Sequence, residues 1–296
     1  VCDGTVTYEQ GASINERLDI EAAVDAAEDA DVAVVAVGEN WYLHEFGPTE
    51  ESGTEPDEFP NRTTLDLPDA QRDLLKALHE TDTPVVGVLV SGRPLTVEWM
   101  ASNLPALLMA YYPGTMGGQA VAETLFGVCD PGGRLPISIP RSAGHLPTRF
   151  NHFPHPTPIG ADEHLSSYDP LFEFGHGLSY TAFEYGPLSV TQQAITPDGA
   201  TTVEVPVENV GEREGSDVVQ VYVTGHAGSR VTPVRELCGF ERISVTPGTT
   251  EPVEITIEAS SLGRVDSSGT LRAVPGDYTL QVGEKSATIT VQARSD

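Results

Sequence analysis

Residues 38–67 read GENWYLHEFGPTEESGTEPDEFPNRTTLDL, and no helical or strand period runs through these thirty residues. The run before them, DVAVVAV at 31–37, is short and apolar, the pattern of a strand buried on both faces. After them, Pro68-Asp69 opens a helical period. Ordinary connections run to about 4–6 residues, and long irregular ones are functional or disordered. This one leaves the carboxyl end of a strand, where open α/β sheets place their ligands. It carries the acids Glu39, Glu45, Glu50, Glu51, Glu55, Asp57 and Glu58, and the ring-bearing Trp41, Tyr42, His44 and Phe46.

The flanking periods give the fold class. Leu18–Ala30 reads as a helix with Ile20, Ala23, Val24 and Ala27 on one face, and Asp69–Thr81 as a second, with Asp69 as N-cap and Leu74, Leu75 and Leu78 inward. Pro84–Val90 and Ala106–Ala110 read as strands, Thr96–Ala101 and Met116–Phe126 as helices, and Thr5–Tyr8 as a short opening strand. Alternating strands and helices predict an αβα sandwich around a mostly parallel sheet, over residues 1–140. Residues 141–185, rich in Pro, Gly, His and aromatics, read as an ordered wrapping linker. Residues 186–296 carry only strand signals, at Val203–Val207, Val218–Val223, Val253–Ile257, Tyr278–Val282 and Ala287–Val291. Their spacing predicts an immunoglobulin-like all-β sandwich.

The charge excludes whole classes of partner. Lys+Arg number 16 against 44 Asp+Glu, a formal net charge of −28 with pI ≈ 4.4. Such a surface repels nucleic acid and anionic membranes, and an acid-rich, lysine-poor surface suits high salt. Cys2, Cys129 and Cys238 form no C-x-x-C and read as small buried hydrophobes. No signal-peptide pattern opens the chain, and the balance leans to the cytoplasm. The first residues, VCDGTVTYEQG, read as the interior of a domain, so an amino-terminal portion encoded elsewhere or lost is expected.

Other chemistries fall away on spacing. Gly114-Thr115-Met116-Gly117-Gly118 lacks both the P-loop lysine and the G-x-G-x-x-G spacing, and reads as tight helix–strand packing. No G-x-S-x-G elbow is present. His145, His152, His155 and His164 match no zinc spacing.

An ordered series of short blocks carries a family resemblance. Gly38-Glu39, His44-Glu45, Asn61-Arg62-Thr63 and Leu65-Asp66-Leu67-Pro68 are followed by Ser91-Gly92-Arg93-Pro94 and Tyr112-Pro113-Gly114. Asp130-Pro131-Gly132-Gly133-Arg134-Leu135-Pro136 and Phe174-Gly175-His176-Gly177-Leu178-Ser179-Tyr180 come next, with further blocks through the β region. The series resembles the carboxy-terminal half of glycoside hydrolase family 3, the β-glucosidases and their relatives. The resemblance implies an α/β sandwich followed by a fibronectin type III-like domain, without the (β/α)₈ barrel that bears the aspartate nucleophile. It implies a retaining mechanism with two carboxyl groups about 5–5.5 Å apart and no metal or organic cofactor. By residue match it makes Glu45 the acid/base, with Glu55, in a weaker Ser52-Gly53-Thr54-Glu55 context, as runner-up. Trp41, Tyr42, His44 and Phe46 are then the substrate-binding set, with apolar neighbours able to raise the pKa of Glu45. Arg62 is the candidate to hold a carboxylate bidentately, and Glu39 reads as an organiser of the loop. The implied ligand is a β-linked glucoside or oligosaccharide, and the implied partner a barrel domain docking on an exposed apolar face. The competing reading is a non-catalytic carbohydrate-binding or structural module.

Overall fold

The computed structural model describes residues 4–39, 64–154, 169–228, 231–266 and 268–293. The chain divides into two compact units. The first comprises residues 1–129, 138–148 and 168–172, and the second 130–137, 149–167 and 173–296, so the 141–185 stretch contributes to both.

The first unit is α/β. Helix α1 (Ile20–Glu28) is alanine-rich, and its Asp19 N-cap accepts a hydrogen bond from Ala22 N at 3.0 Å. Strand β1 (Ala33–Gly38) pairs in parallel with β2 (Val85–Val90), which pairs in parallel with β3 (Ala106–Met109). The crossovers carry α2 (Asp69–His79) and α3 (Glu98–Asn103), and α4 (Gly117–Leu125) follows β3. Leu74, Leu75 and Leu78 of α2 are buried as their spacing predicts. Gly87 of β2 has no room for a side chain, because an added Cβ would lie 2.8 Å from Met100 Cε and 3.0 Å from Leu104 Cδ1. Close seating of α3 on β2 explains a glycine in a strand interior.

The second unit is all-β. One sheet runs Thr250–Glu258, Ala200–Asn209, Phe183–Tyr185. The other runs Ala194–Ile195, Lys285–Val291, Gly276–Val282, Gly215–Gly225, Glu236–Val245. The period-two alternation buries Val203, Val205 and Val207 from one sheet and Val219, Val221 and Val223 from the other in one core with Tyr278, Leu280 and Ile289. Each fully buried aliphatic side chain contributes about 1.5–3 kcal/mol. Besides short strands such as Phe183–Tyr185 and Ala194–Ile195, one long strand is invisible in the pattern. Glu236–Val245 has mostly half-buried or exposed residues, as an edge strand can, so no alternation marks it.

Three expectations need correction. Residues 5–8 join no ladder and lie exposed, Val6 and Tyr8 at 79% each; β-rich sequence without a neighbouring strand has nothing to pair its backbone. Asp69 is the first residue of α2 rather than its cap; Pro68 caps it, and Asp69 pairs with Arg72 one turn on. Cys129 is exposed and Cys238 half-buried, its thiol pushed up to about 12 by burial, while Cys2 lies outside the described residues.

Two polar clusters are built into the second unit. Asp217, 4% exposed at its side chain, accepts from Arg134 Nη2 at 2.6 Å, Tyr185 Oη at 2.6 Å and its neighbour Val218 N at 2.7 Å. Burial and the Asp217 carboxylate drive the Tyr185 hydroxyl well above its ordinary range. His226 is buried beside Tyr278, accepts from Arg264 Nη2 at 2.9 Å and lies 3.8 Å from Glu236, which Arg264 also holds. Burial, then the Arg264 charge, lowers the pKa of His226 against the opposing pull of Glu236.

Removing one partner of a buried pair leaves an uncompensated charge. Arg134→Met is therefore expected to cost about 3–5 kcal/mol in urea unfolding, and a change below about 1 kcal/mol contradicts the assignment. For His226 the folded pKa lies below the ordinary 6.5 of the unfolded chain, so the unfolded state binds more protons as the solution becomes acid. The contribution is intact above that value and is lost as pH falls through the folded pKa. Melting temperature followed downward from pH 7 should drop less steeply in His226→Gln than in the parent; equal slopes contradict this.

Candidate active site

The site is built where β1 ends. Gly38 has φ +145°, and a Cβ there would sit 1.8 Å from Val90 O, so only glycine passes this close to β2. The backbone pairing continues one residue further, with Glu39 N donating to Val90 O at 2.9 Å. The amide of Gln71, on α2, grips the turn from both sides. Its Oε1 accepts from Gly38 N at 2.7 Å, and its Nε2 donates to Gly38 O at 2.9 Å and to Ile14 O at 3.3 Å. At 6% exposure this is a buried polar group with its hydrogen bonds made.

Glu39 turns inward. Its carboxylate has no solvent exposure and lies 3.0 Å from Arg93 Nε and 3.5 Å from the buried Ser91 Oγ. Arg93 and Ser91 stand at the carboxyl end of β2, and Ser91 Oγ also accepts from Arg93 N at 3.2 Å. Glu39, expected to organise the long loop, is held by these contacts to the turn after β2.

The chain returns to the same edge at Leu65-Asp66. Thr96 N donates to Leu65 O at 2.9 Å, Thr96 Oγ1 donates to the Asp66 carboxylate, and Arg72 Nη1 lies 3.5 Å from Asp66. Both ends of the 40–63 segment are thus fixed beside the carboxyl ends of β1 and β2. The expected site residues Trp41, Tyr42, His44, Glu45, Phe46, Glu55 and Arg62 all lie in that segment, outside the described residues.

A third lip follows β3. Ala110 N donates to Leu89 O at 2.9 Å, and Tyr111 then takes φ +52°, the one left-handed non-glycine among the described residues. Burial raises the pKa of the Tyr111 hydroxyl. Tyr112 packs its ring where a Gly92 side chain would be, 2.5 Å from a Cβ built there. A cavity of about 320 Å³ opens beside β1, with Gln10, Ser13, Ile14, Val37, Glu39 and Gln71 among its lining residues. Gln71 and Arg93 are the two positioning groups not singled out from sequence. Gln71 carried a signal, a polar residue on the apolar face of α2 shared with Leu74, Leu75 and Leu78; the Arg93–Glu39 partnership, between residues far apart in the chain, carried none.

The sequence matches the description Glycosyl hydrolase family 3 C-terminal domain over residues 4–180 and Fibronectin type III-like domain over residues 217–286. It is 36% identical to a periplasmic β-glucosidase of Salmonella typhimurium over 95% of this chain and 37% of that protein. It is 34% identical to a β-xylosidase of Formosa agariphila over 95% of this chain and 38% of that protein. Among solved structures, a Listeria innocua β-glucosidase in complex with glucose superposes with a TM-score of 0.81 at 27% identity, over 95% of this chain and 40% of that one. The chain thus spans less than two-fifths of the curated relatives just named. A parallel sheet whose carboxyl edge roots a long acidic segment, joined to a β-sandwich and matched over most of its length, places this chain in glycosyl hydrolase family 3, as its C-terminal domain followed by a fibronectin type III-like domain.

Proposed function

We propose that this chain supplies the acid/base glutamate, Glu45, of a retaining β-glucosidase-type glycosidase that hydrolyses terminal β-D-glucosyl residues. The nucleophile belongs to a (β/α)₈ barrel domain outside these 296 residues. The observation that carries the reading is the double rooting of segment 40–63, at Gly38-Glu39 and at Leu65-Asp66, on the carboxyl edge of the sheet. In this scheme Glu45 protonates the departing glycosidic oxygen, the barrel carboxylate forms the glycosyl–enzyme bond, and Glu45 then draws a proton from the water that hydrolyses it. Trp41, Tyr42 and Phe46 shield the acid from water and keep its pKa high enough to hold the proton, and with His44 they line the sugar site. Arg62 steadies a carboxylate of the segment.

The names of the relatives include both β-glucosidase and β-xylosidase; the glucoside is our choice between them. Apolar side chains exposed on the first unit, including Met116 at 64%, Phe126 at 51% and Val128 at 65%, support docking of a barrel. The net charge of −28 supports a high-salt setting. The fibronectin type III-like domain favours the second reading, a non-catalytic carbohydrate-binding or structural module.

Activity separates the two. The isolated chain should release no nitrophenol from 4-nitrophenyl β-D-glucoside, and the chain combined with its barrel domain should. In the active protein, Glu45→Gln should lower kcat/KM at least about 10²-fold, and less on a dinitrophenyl glucoside, whose leaving group needs no proton in the first step. Glu55→Gln should stay near the parent rate. Near-parent rates for Glu45→Gln on both substrates would rule out its role.

A further inference from the structure

Among the described residues, strand β1 pairs on one side only, with β2. Ala33 N donates to Pro84 O at 3.0 Å and Glu39 N to Val90 O at 2.9 Å, so the odd-numbered residues of β1 turn their backbone groups toward β2. Val34, Ala36 and Gly38 turn theirs the other way. Gly38 is satisfied by Gln71, whose amide accepts from its N–H at 2.7 Å and donates to its C=O at 2.9 Å, as a neighbouring strand would. The outward backbone groups of Val34 and Ala36 have no hydrogen-bond partner among the described residues. Ala36 and Gly38 line the cavity of about 320 Å³ together with Gln10, Ala12 and Ser13, so there is space beside this edge. Nothing protects it: Ala33–Gly38 holds no charge, no proline and no bulge, the devices by which edge strands avoid pairing. One face is open as well. Val34 is 49% exposed on the face it shares with Val86 and Ala106, whereas Val35 and Val37, on the other face, are buried. Parallel sheets are ordinarily covered on both faces.

We propose that β1 receives a further strand, supplied together with a helix by polypeptide outside these 296 residues. The strand bonds to Val34 and Ala36 and stops at the Gln71 amide, and the helix lies over the Val34 side chain. Such a strand becomes interior to a parallel sheet, so it is uncharged and rich in β-branched residues. Its helix turns an apolar face to the sheet. The relatives named above have the length for this unit, since this chain spans only 37% and 38% of them. A second copy of this chain fits the edge less well. Pairing β1 with β1 supplies no helix for Val34 and brings together two chains of net charge −28. The proposal rests on family membership and not on the acid/base role of Glu45.

The test is amide hydrogen exchange across β1, resolved residue by residue by mass spectrometry with electron-transfer fragmentation. It compares the 296-residue chain with the whole encoded polypeptide that contains it. In the chain alone, the Val34 and Ala36 amides should exchange at least about 100-fold faster than those of Val35 and Val37. In the whole polypeptide all four should be slow. Fast exchange at Val34 and Ala36 in the whole polypeptide overturns the proposal. Slow exchange there in the chain alone overturns it too, and protection that grows with concentration makes a second copy the occupant. A substitution gives an independent readout. Val34→Lys should leave the melting temperature of the chain alone within about a degree and lower that of the whole polypeptide by about 2–4 °C or more; equal shifts overturn the proposal. Neither readout uses hydrolysis, so failure of the Glu45 reading leaves both untouched, and failure here leaves hydrolysis that depends on Glu45 untouched.

Discussion

A carboxylate sealed from water sets the geometry of the first unit. Burying Glu39 as an ion is unfavourable by several kcal/mol unless a cation and hydrogen bonds replace its hydration. Arg93 Nε at 3.0 Å supplies the cation, and Arg93 is brought there by the turn after β2 that Ser91 closes. For Glu39 to reach that turn, β1 must run against β2 to its last residue, which is why Gly38 lies where any side chain would strike Val90 O. Gln71 then takes up the two backbone groups of Gly38 that its unusual φ turns away from the ladder. Strand, helix and turn are locked at one point, and the long segment starts from it. Exposed ion pairs elsewhere in the unit, such as Arg141 with Glu98, are solvated and contribute little.

The second unit is stabilised differently. Its interior is chiefly aliphatic, valines from two sheets alternating inward, and shape and area do most of the work. Two of its carboxylates are each held by several donors. Asp217 accepts three hydrogen bonds, and Asp130 accepts from Ser179 Oγ at 2.6 Å, Tyr180 N at 2.8 Å and Ser216 N at 2.9 Å. These carboxylates tie the irregular segments 130–137 and 173–181 to the strand Gly215–Gly225. The Pro- and Gly-rich stretches are therefore ordered through side-chain acceptors together with backbone bonds such as Leu135 N to His176 O and Gly175 N to Leu135 O, each at 2.8 Å.

What was legible in sequence was whatever has a period. The apolar runs of β1 and β2, the leucine face of α2 and the valine alternation of the sandwich each announce burial locally. Strand Glu236–Val245 was not legible, because an edge strand with mixed exposure lacks alternation. Residues 5–8 misled for the opposite reason, since β-rich composition signals a strand only where a neighbour exists. At the site, Glu39 was legible as a strand-end residue. Its partner Arg93 was not, because pairing across a crossover of more than fifty residues leaves no spacing to read. Tyr111 was equally silent, since a left-handed tyrosine looks like any other in a row of letters. The family blocks brought Glu39 and Arg93 into view as motifs without saying what they do.

The central claim divides the chemistry, the proton donor on this chain and the covalent carboxylate elsewhere. Mechanism-based labelling tests it most directly. The active protein, treated with a 2-deoxy-2-fluoro-β-D-glucoside bearing a dinitrophenyl leaving group, accumulates its glycosyl–enzyme adduct, and peptide mass spectrometry locates the modified carboxylate. The account expects the adduct on an aspartate of the barrel domain, with every peptide of residues 1–296 unmodified. An adduct on Glu45, or on any other carboxylate of this chain, would contradict it.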